Sequence, residues 1–275
     1  MKCTNNMRQL GTGMHNCHGA NGQFPSAGWG WGWVGEPTRG VGIRQPGGWV
    51  YSILPFIEQD SLHLQAPDSP SRNSTPVAFL MCPSRRPVQA YPNPNGYTYY
   101  NAPVAPATFA RTDYAASCGT NGNEIFPGPG SLAQGDNPTF WTYGDGASAT
   151  NANSFNGIFY TRSSIRIQDI TKGSSNQIMI GEKYLNPSNY TSGQDGSDNE
   201  CMFTGLNNDV YRVTSGPPIQ DKAGLGDTSR FGSVHPNGCN FILADGSVRN
   251  IRYTVDSSMF RELGDIRSRA TIVIP

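Results

Sequence analysis

The sequence predicts an α+β protein: an N-terminal amphipathic helix, a β-rich body with long Gly/Pro-rich loops, and a closing β-hairpin with a short helix. Three observations carry this. A stripe of helical period runs through the first 18 residues. Glycine and proline number 33 and 21, while charged residues make up only 15%. An Asp-Gly pair stands between two strand-like runs near the end, at Asp245 and Gly246.

In MKCTNNMRQLGTGMHNCH, Cys3, Met7, Leu10, Met14 and Cys17 recur at spacings of 4, 3, 4 and 3, which puts them on one side of an α-helix. The pattern begins with no capping residue before it, and Gly11 and Gly13 weaken it. It therefore reads as the distal part of a longer helix whose anchor half is missing, residues 1–18, followed by a globular head, residues 19–275. The stripe is expected to lie against a β-sheet. Cys3 and Cys17 fall about 21 Å apart along such a helix and cannot bond to each other.

Residues 19–48 read as loop. Within GWGWGWVG, Trp29, Trp31 and Trp33 alternate with small residues, so an extended strand would place all three rings on one face. Such a face suits stacking on sugar rings, or it covers a core or an interface. In GWVYSILPFIEQDSL, Trp49, Ile53, Leu54 and Ile57 have helical spacing, and Pro55 kinks or splits the helix. Residues 65–155, rich in Pro, Asn, Gly, Ser and Tyr, read as loops with short strands. GIFYTRSSIRIQDI, NQIMIGEKY and NDVYRV are strand-like.

The tail is the best-defined part. CNFILA and SVRNIRY flank Asp245-Gly246, a two-residue hairpin turn. VDSSMFRELG reads as a helix capped by Asp256 or Ser257, with Val255, Met259, Phe260 and Leu263 turned inward and Gly264 as its stop.

Composition excludes several classes. Lysine plus arginine and aspartate plus glutamate each total 20, for zero net charge, so nothing favours nucleic acid or an anionic membrane. There is no P-loop, dinucleotide fingerprint, G-x-S-x-G elbow or H-E-x-x-H motif, and no nucleophile–base set is visible, so the chain does not read as an enzyme. The 6 cysteines include no C-x-x-C pair, which argues against structural zinc. Their even number suits disulfides in an oxidising compartment, with buried free thiols as the alternative. The 4 histidines are dispersed. His15 and His18 share one helix face and read as solvated or bonded to backbone. SGQDGSDNE carries Asp195, Asp198 and Glu200, hard oxygen ligands suited to calcium, although the pattern is not an EF-hand. An acidic surface turn is its plainer reading, and calcium is the only cofactor left open.

HPNGCNFILADG sets His235 ten positions before Asp245. About seven strand residues between them span roughly 20–25 Å, whereas a base and its orienting carboxylate must meet within about 3 Å. His235, Asp245 and Gly246 therefore read as architecture, with Asp245 and Gly246 shaping the turn.

Several blocks together resemble the prepilin-type processing-associated H-x9-DG proteins, the domain of unknown function 1559 group. These are MKCTNNMRQLGTGMHNCHGANGQFP, GWVYSILPFIEQ, FLMCPSRR, SIRIQDITKGSSNQIMIGEKYLNP and FGSVHPNGCNFILADGSVRNI. The chain departs from that pattern in its Trp-rich stretch at 28–48 and at Lys172, where an acidic residue is usual. The resemblance implies a pilin-like fold with the helix packed on an antiparallel sheet, and export to the cell envelope, periplasmic or extracellular, with an inner-membrane anchor before assembly. It implies a pseudopilin-type subunit of a type II secretion or type IV pilus-like system, with self-association, other pilin-like subunits and a prepilin peptidase as partners, and no nucleic acid. The alternative is an exported glycan- or calcium-binding module. Among the cysteines, Cys3 and Cys82 are the expected disulfide, because both fall in blocks that resemble the family and the bond would tie the helix to the body.

Overall fold

A computed structural model describes residues 2–122, 126–143 and 155–270; position 1 of the expected helix lies outside them. The apolar stripe does form a helix, α1 (Lys2–Asn21), and Cys3, Met7, Leu10, Met14 and Cys17 are all buried on it. At roughly 1.5–3 kcal/mol per buried apolar side chain, this single face is a major contributor to the core.

The next helical segment is divided as Pro55 requires. α2 (Trp49–Ile53) ends and a 3₁₀ turn, Leu54–Ile57, takes over with the proline in its first turn, where a missing N–H costs nothing. Short helices follow: α3 (Asp60–His63), α4 (Pro70–Ser74), α5 (Leu132–Asp136) and α6 (Pro138–Tyr143). The region expected to hold only loops and short strands thus contains single helical turns as well. α4 and α5 are capped by Ser69 and Ser131.

The strands are β1 (Tyr91–Pro92), β2 (Thr108–Phe109), β3 (Tyr114–Ser117), β4 (Ile178–Glu182), β5 (Tyr211–Arg212), β6 (Ile219–Gln220), β7 (Gly232–Ser233), β8 (Cys239–Leu243) and β9 (Val248–Ile251). The main sheet has five strands in the order β5-β3-β4-β8-β9. It is mixed rather than antiparallel, because β5 pairs with β3 in parallel. β8 and β9 form the expected hairpin, with Cys239 opposite Ile251 and Ile242 opposite Val248. Asp256 caps the last helix, α7 (Ser257–Gly264), by accepting from the Met259 N–H at 2.9 Å.

The sheet separates two apolar layers. Ile180 and Ile242 join Met7, Leu10 and Met14 of α1 on one face. On the other, Phe241, Leu243 and Ile251 pack with Phe231 and with Phe260 and Leu263 of α7. The stretch from Gly157 to Ile170, expected as strand, forms none. It holds turns and a 3₁₀ turn at Ile167–Asp169, and its backbone makes single bonds, as in Phe24 N–H to Ile165 O at 2.8 Å, Ala27 N–H to Tyr160 O at 3.2 Å and Phe159 N–H to Ser117 O of β3 at 3.2 Å.

Trp29, Trp31 and Trp33 do not share a face. The chain turns at Trp31 and Gly32, so alternation is broken. Trp29 and Trp33 are buried edge-to-face beside Trp141, while Trp31 alone is 36% exposed. Of the two readings, Trp29 and Trp33 fit the core: with Trp141 they form a small aromatic cluster and not a shared face for sugar rings.

Candidate functional site

Four distant segments meet beyond the first turn of α1. Cys3 projects from that turn. Cys82 follows the 3₁₀ turn Ala78–Leu80, which α1 grips through Asn6 Nδ2 donating to Met81 O at 3.0 Å. Glu182 ends β4 and faces the α1 side of the sheet together with Asn240 of β8. His235 stands in the loop between β7 and β8.

Their reactive atoms converge. The sulfurs of Cys3 and Cys82 are 2.9 Å apart. His235 Nε2 lies 3.2 Å from Glu182 Oε1 and 3.9 Å from Cys82 Sγ. Ser84 Oγ is 3.7 Å from Cys3 Sγ. One donor atom from each of Cys3, Cys82, Glu182 and His235 lies within 4.8 Å of all the others. Both cysteines and Glu182 are buried, and the His235 side chain is partly open to a cleft of about 370 Å³.

Proton positions follow from these contacts. Cys3 is pulled down to about 4, first by the hydrogen bond with Cys82 and further by His235 and Ser84, against burial. Cys82 is pushed up by the same bond and by burial. His235 is raised to about 10 by Cys3 and then Glu182, again against burial. The two sulfurs thus tend to share a single proton, and His235 is drawn toward its charged form by the cysteine pair and Glu182. Two sulfurs, an imidazole and a carboxylate are ligands for a transition metal. They also set a pair of thiols beside an imidazole and a carboxylate, a juxtaposition the sequence did not reveal.

Behind the site lies a buried ionic core. Cys82 N–H donates to Asp113 Oδ2 at 2.6 Å. Asp113 Oδ1 pairs with Arg85 at 3.3 Å and Arg86 at 2.8 Å. Arg86 also pairs with Asp198, which Lys183 reaches at 2.8 Å. Glu182 and Lys183, consecutive in sequence, point in opposite directions as strand geometry demands, one to the cluster and one to the ionic core.

The family model described as "Protein of unknown function (DUF1559)" matches residues 1–258. The chain belongs to this family. No curated protein and no solved structure matches it. Each of the four clustered residues falls in a different sequence block by which the chain resembles the DUF1559 group: Cys3 in the helix, Cys82 in FLMCPSRR, Glu182 in the GEK stretch and His235 in the H-x9-DG motif.

That motif is split between two places. His235 enters the cluster. Asp245 is exposed at the other end of β8, where its side chain accepts from Ser247 N–H at 2.9 Å. Gly246 adopts φ 84°, a left-handed conformation that disfavours any side chain. A Cβ there would also stand 3.1 Å from the His15 ring. His18 Nε2 accepts from Ile167 N–H at 3.1 Å.

The disulfide expected between Cys3 and Cys82 is not formed: the two sulfurs are adjacent, but both residues are free cysteines, as are Cys17, Cys118, Cys201 and Cys239. Asp195, Asp198 and Glu200 are buried rather than on a surface turn. Their carboxylates are not gathered: Asp195 accepts from Asn186 N–H and Ser197 N–H, while Asp198 is clamped by Arg86 and Lys183. Two bound cations on Asp198 oppose a third. Burial pushes the Asp198 carboxyl up, but these cations outweigh it and hold the group below the usual carboxylate range. Glu182 was the residue sequence reasoning missed. The available signal was chemical: each family block carries a thiol, carboxylate or imidazole.

Proposed function

We propose that this chain is the exported head of a pilin-like assembly subunit at the cell envelope, with a structural rather than catalytic role. One observation carries the reading: α1 lies with its whole apolar stripe on the sheet and the turns beside it, leaving Asn5, Arg8, Gln9, Thr12 and Asn16 exposed along its other side. A head seated on one face of a helix, with a polar face turned outward, can be hung from that helix and packed beside its neighbours. The family resemblance supports the same reading, as does a net charge of zero, which opposes close packing little.

On this reading the partners are further copies of the chain or other pilin-like subunits, and a prepilin peptidase acts on the precursor. The test is fractionation and cross-linking in the native cell, with the chain expressed from its own gene. Recovery in the envelope, cross-linked to itself or to pilin-like subunits, is expected. A monomer found only in the cytoplasm, cross-linked to nothing, would rule the role out.

A further inference from the structure

We propose that Cys3, Cys82, Glu182 and His235 form a four-ligand site for one zinc-type divalent transition metal, clamping α1 to three other segments of the chain. The site is argued independently of the assembly role.

The donor set selects the ion. Two sulfurs disfavour calcium and magnesium, which take oxygen ligands, and match zinc, cobalt or ferrous iron. Dimensions agree. Around a tetrahedral zinc with Zn–S of about 2.3 Å, two thiolates sit roughly 3.8 Å apart. Here the sulfurs stand at 2.9 Å, with all four donor atoms within 4.8 Å of one another. Separating the sulfurs by less than 1 Å, roughly, opens the centre.

The surroundings are those of a built site. Glu182 is 1% exposed, and its Oε1 faces His235 Nε2 at 3.2 Å, two donor atoms turned to the same centre. The other oxygen is held in place: Oε2 accepts from Asn240 N–H at 2.8 Å and Asn240 Nδ2 at 3.0 Å. Asp113 fixes the Cys82 backbone in the same way. Such outer partners orient metal ligands. The cleft bordered by Lys2, Thr4, Ser84, Pro236 and Asn237 gives an ion a way in. Missing C-x-x-C pairs do not count against this site, because every ligand comes from a separate segment.

The experiment uses the full chain, reduced and stripped of metal, titrated with cobalt(II) and then zinc(II). One equivalent of cobalt should produce thiolate-to-metal charge-transfer absorption, and one equivalent of zinc should abolish it. Cys3→Ser and Cys82→Ser should each remove most of that absorption. Glu182→Gln and His235→Ala should weaken binding, and Asn240→Ala should do so by about 10–100-fold. Cys118→Ser and Cys239→Ser should change nothing. If the reduced wild-type chain yields no thiolate–cobalt band, the site does not exist, whatever the variants do. A band that survives loss of both Cys3 and Cys82, or disappears with Cys118 or Cys239, would place the metal elsewhere and overturn the assignment.

Discussion

At the residue scale, this protein spends its few charges in unusual places. Asp198, Lys183, Arg86 and Asp113 have side chains no more than 2% exposed, and each is tolerable only because the others are present. Removing one member strands the rest, a loss of about 3–5 kcal/mol. Asp198→Asn is therefore expected to lower the free energy of unfolding by that amount at pH 7, read as a fall in the urea midpoint, and an unchanged midpoint would refute the interdependence. Lys172 presents the opposite case. Burial draws its ammonium down from 10.5 to about 8, against Asp265 and Glu262, while it donates to the Glu262 carbonyl of α7. Between those two values the folded chain binds fewer protons than the unfolded chain, so stability rises with pH across that window. Lys172→Met should stabilise the protein at pH 7 by about 1–2 kcal/mol, after discounting for partial solvent contact, and the advantage should fade above pH 10. Denaturation at both pH values checks this; an advantage independent of pH would be inconsistent with it. Neither pairing was legible in the sequence, since Asp198 looked like one acid in a polar turn and its cations come from Arg86 and Lys183.

At the element scale, local signals were read well and contextual ones poorly. α1, the β8–β9 hairpin and α7 are each specified by period, turn chemistry or cap within one short segment. Gly157–Ile170 alternates like a strand but makes only single backbone bonds, as from Phe159 N–H to Ser117 O, and its Ile158, Phe159 and Ile170 enter the main core from irregular backbone. The glycines of α1 were read as weaknesses, and the structure makes Gly13 a close-approach position: a Cβ there would stand 2.5 Å from Ile57 Cγ2. Helix propensity favours Gly13→Ala by about 1 kcal/mol, but overpacking a β-branched neighbour costs about 1–3 kcal/mol, so the substitution is expected to be net destabilising. Gly19 has no heavy atom within 4 Å of such a Cβ, and Gly19→Ala should stabilise by about 0.4–1 kcal/mol. Thermal melts of the pair would show opposite signs; melts moving in the same direction would contradict the packing account.

At the scale of the whole molecule, α1 belongs to the core of the head it was expected to precede. Its five stripe residues join the largest apolar cluster or the site beside it. Their burial is worth roughly 8–15 kcal/mol at most, comparable with the total stability of a domain. A fragment of residues 19–275 is therefore expected to lack fixed tertiary packing, with near-ultraviolet circular dichroism flattened relative to the full chain. A fragment with the native spectrum would mean the head folds unaided. The four-residue cluster was only half legible for the same reason: the sequence displays its parts in separate blocks, and only the sheet brings them within reach.

The placement of α1 also sets an order in time. It is made before the rest of the head, yet its seat is completed by Ile242 and its Cys3 meets Glu182 and His235, which follow far along the chain. At about 5–20 residues per second, a ribosome needs roughly 10–50 s to travel from the helix to β8. For that interval the stripe can meet only the short helical turns of residues 49–80, the sheet side of its seat is missing, and the thiol at its head lacks Glu182 and His235. A nascent chain in this condition is a substrate for holding chaperones and an easy target for oxidation, so the protein's first vulnerability comes before it has a fold.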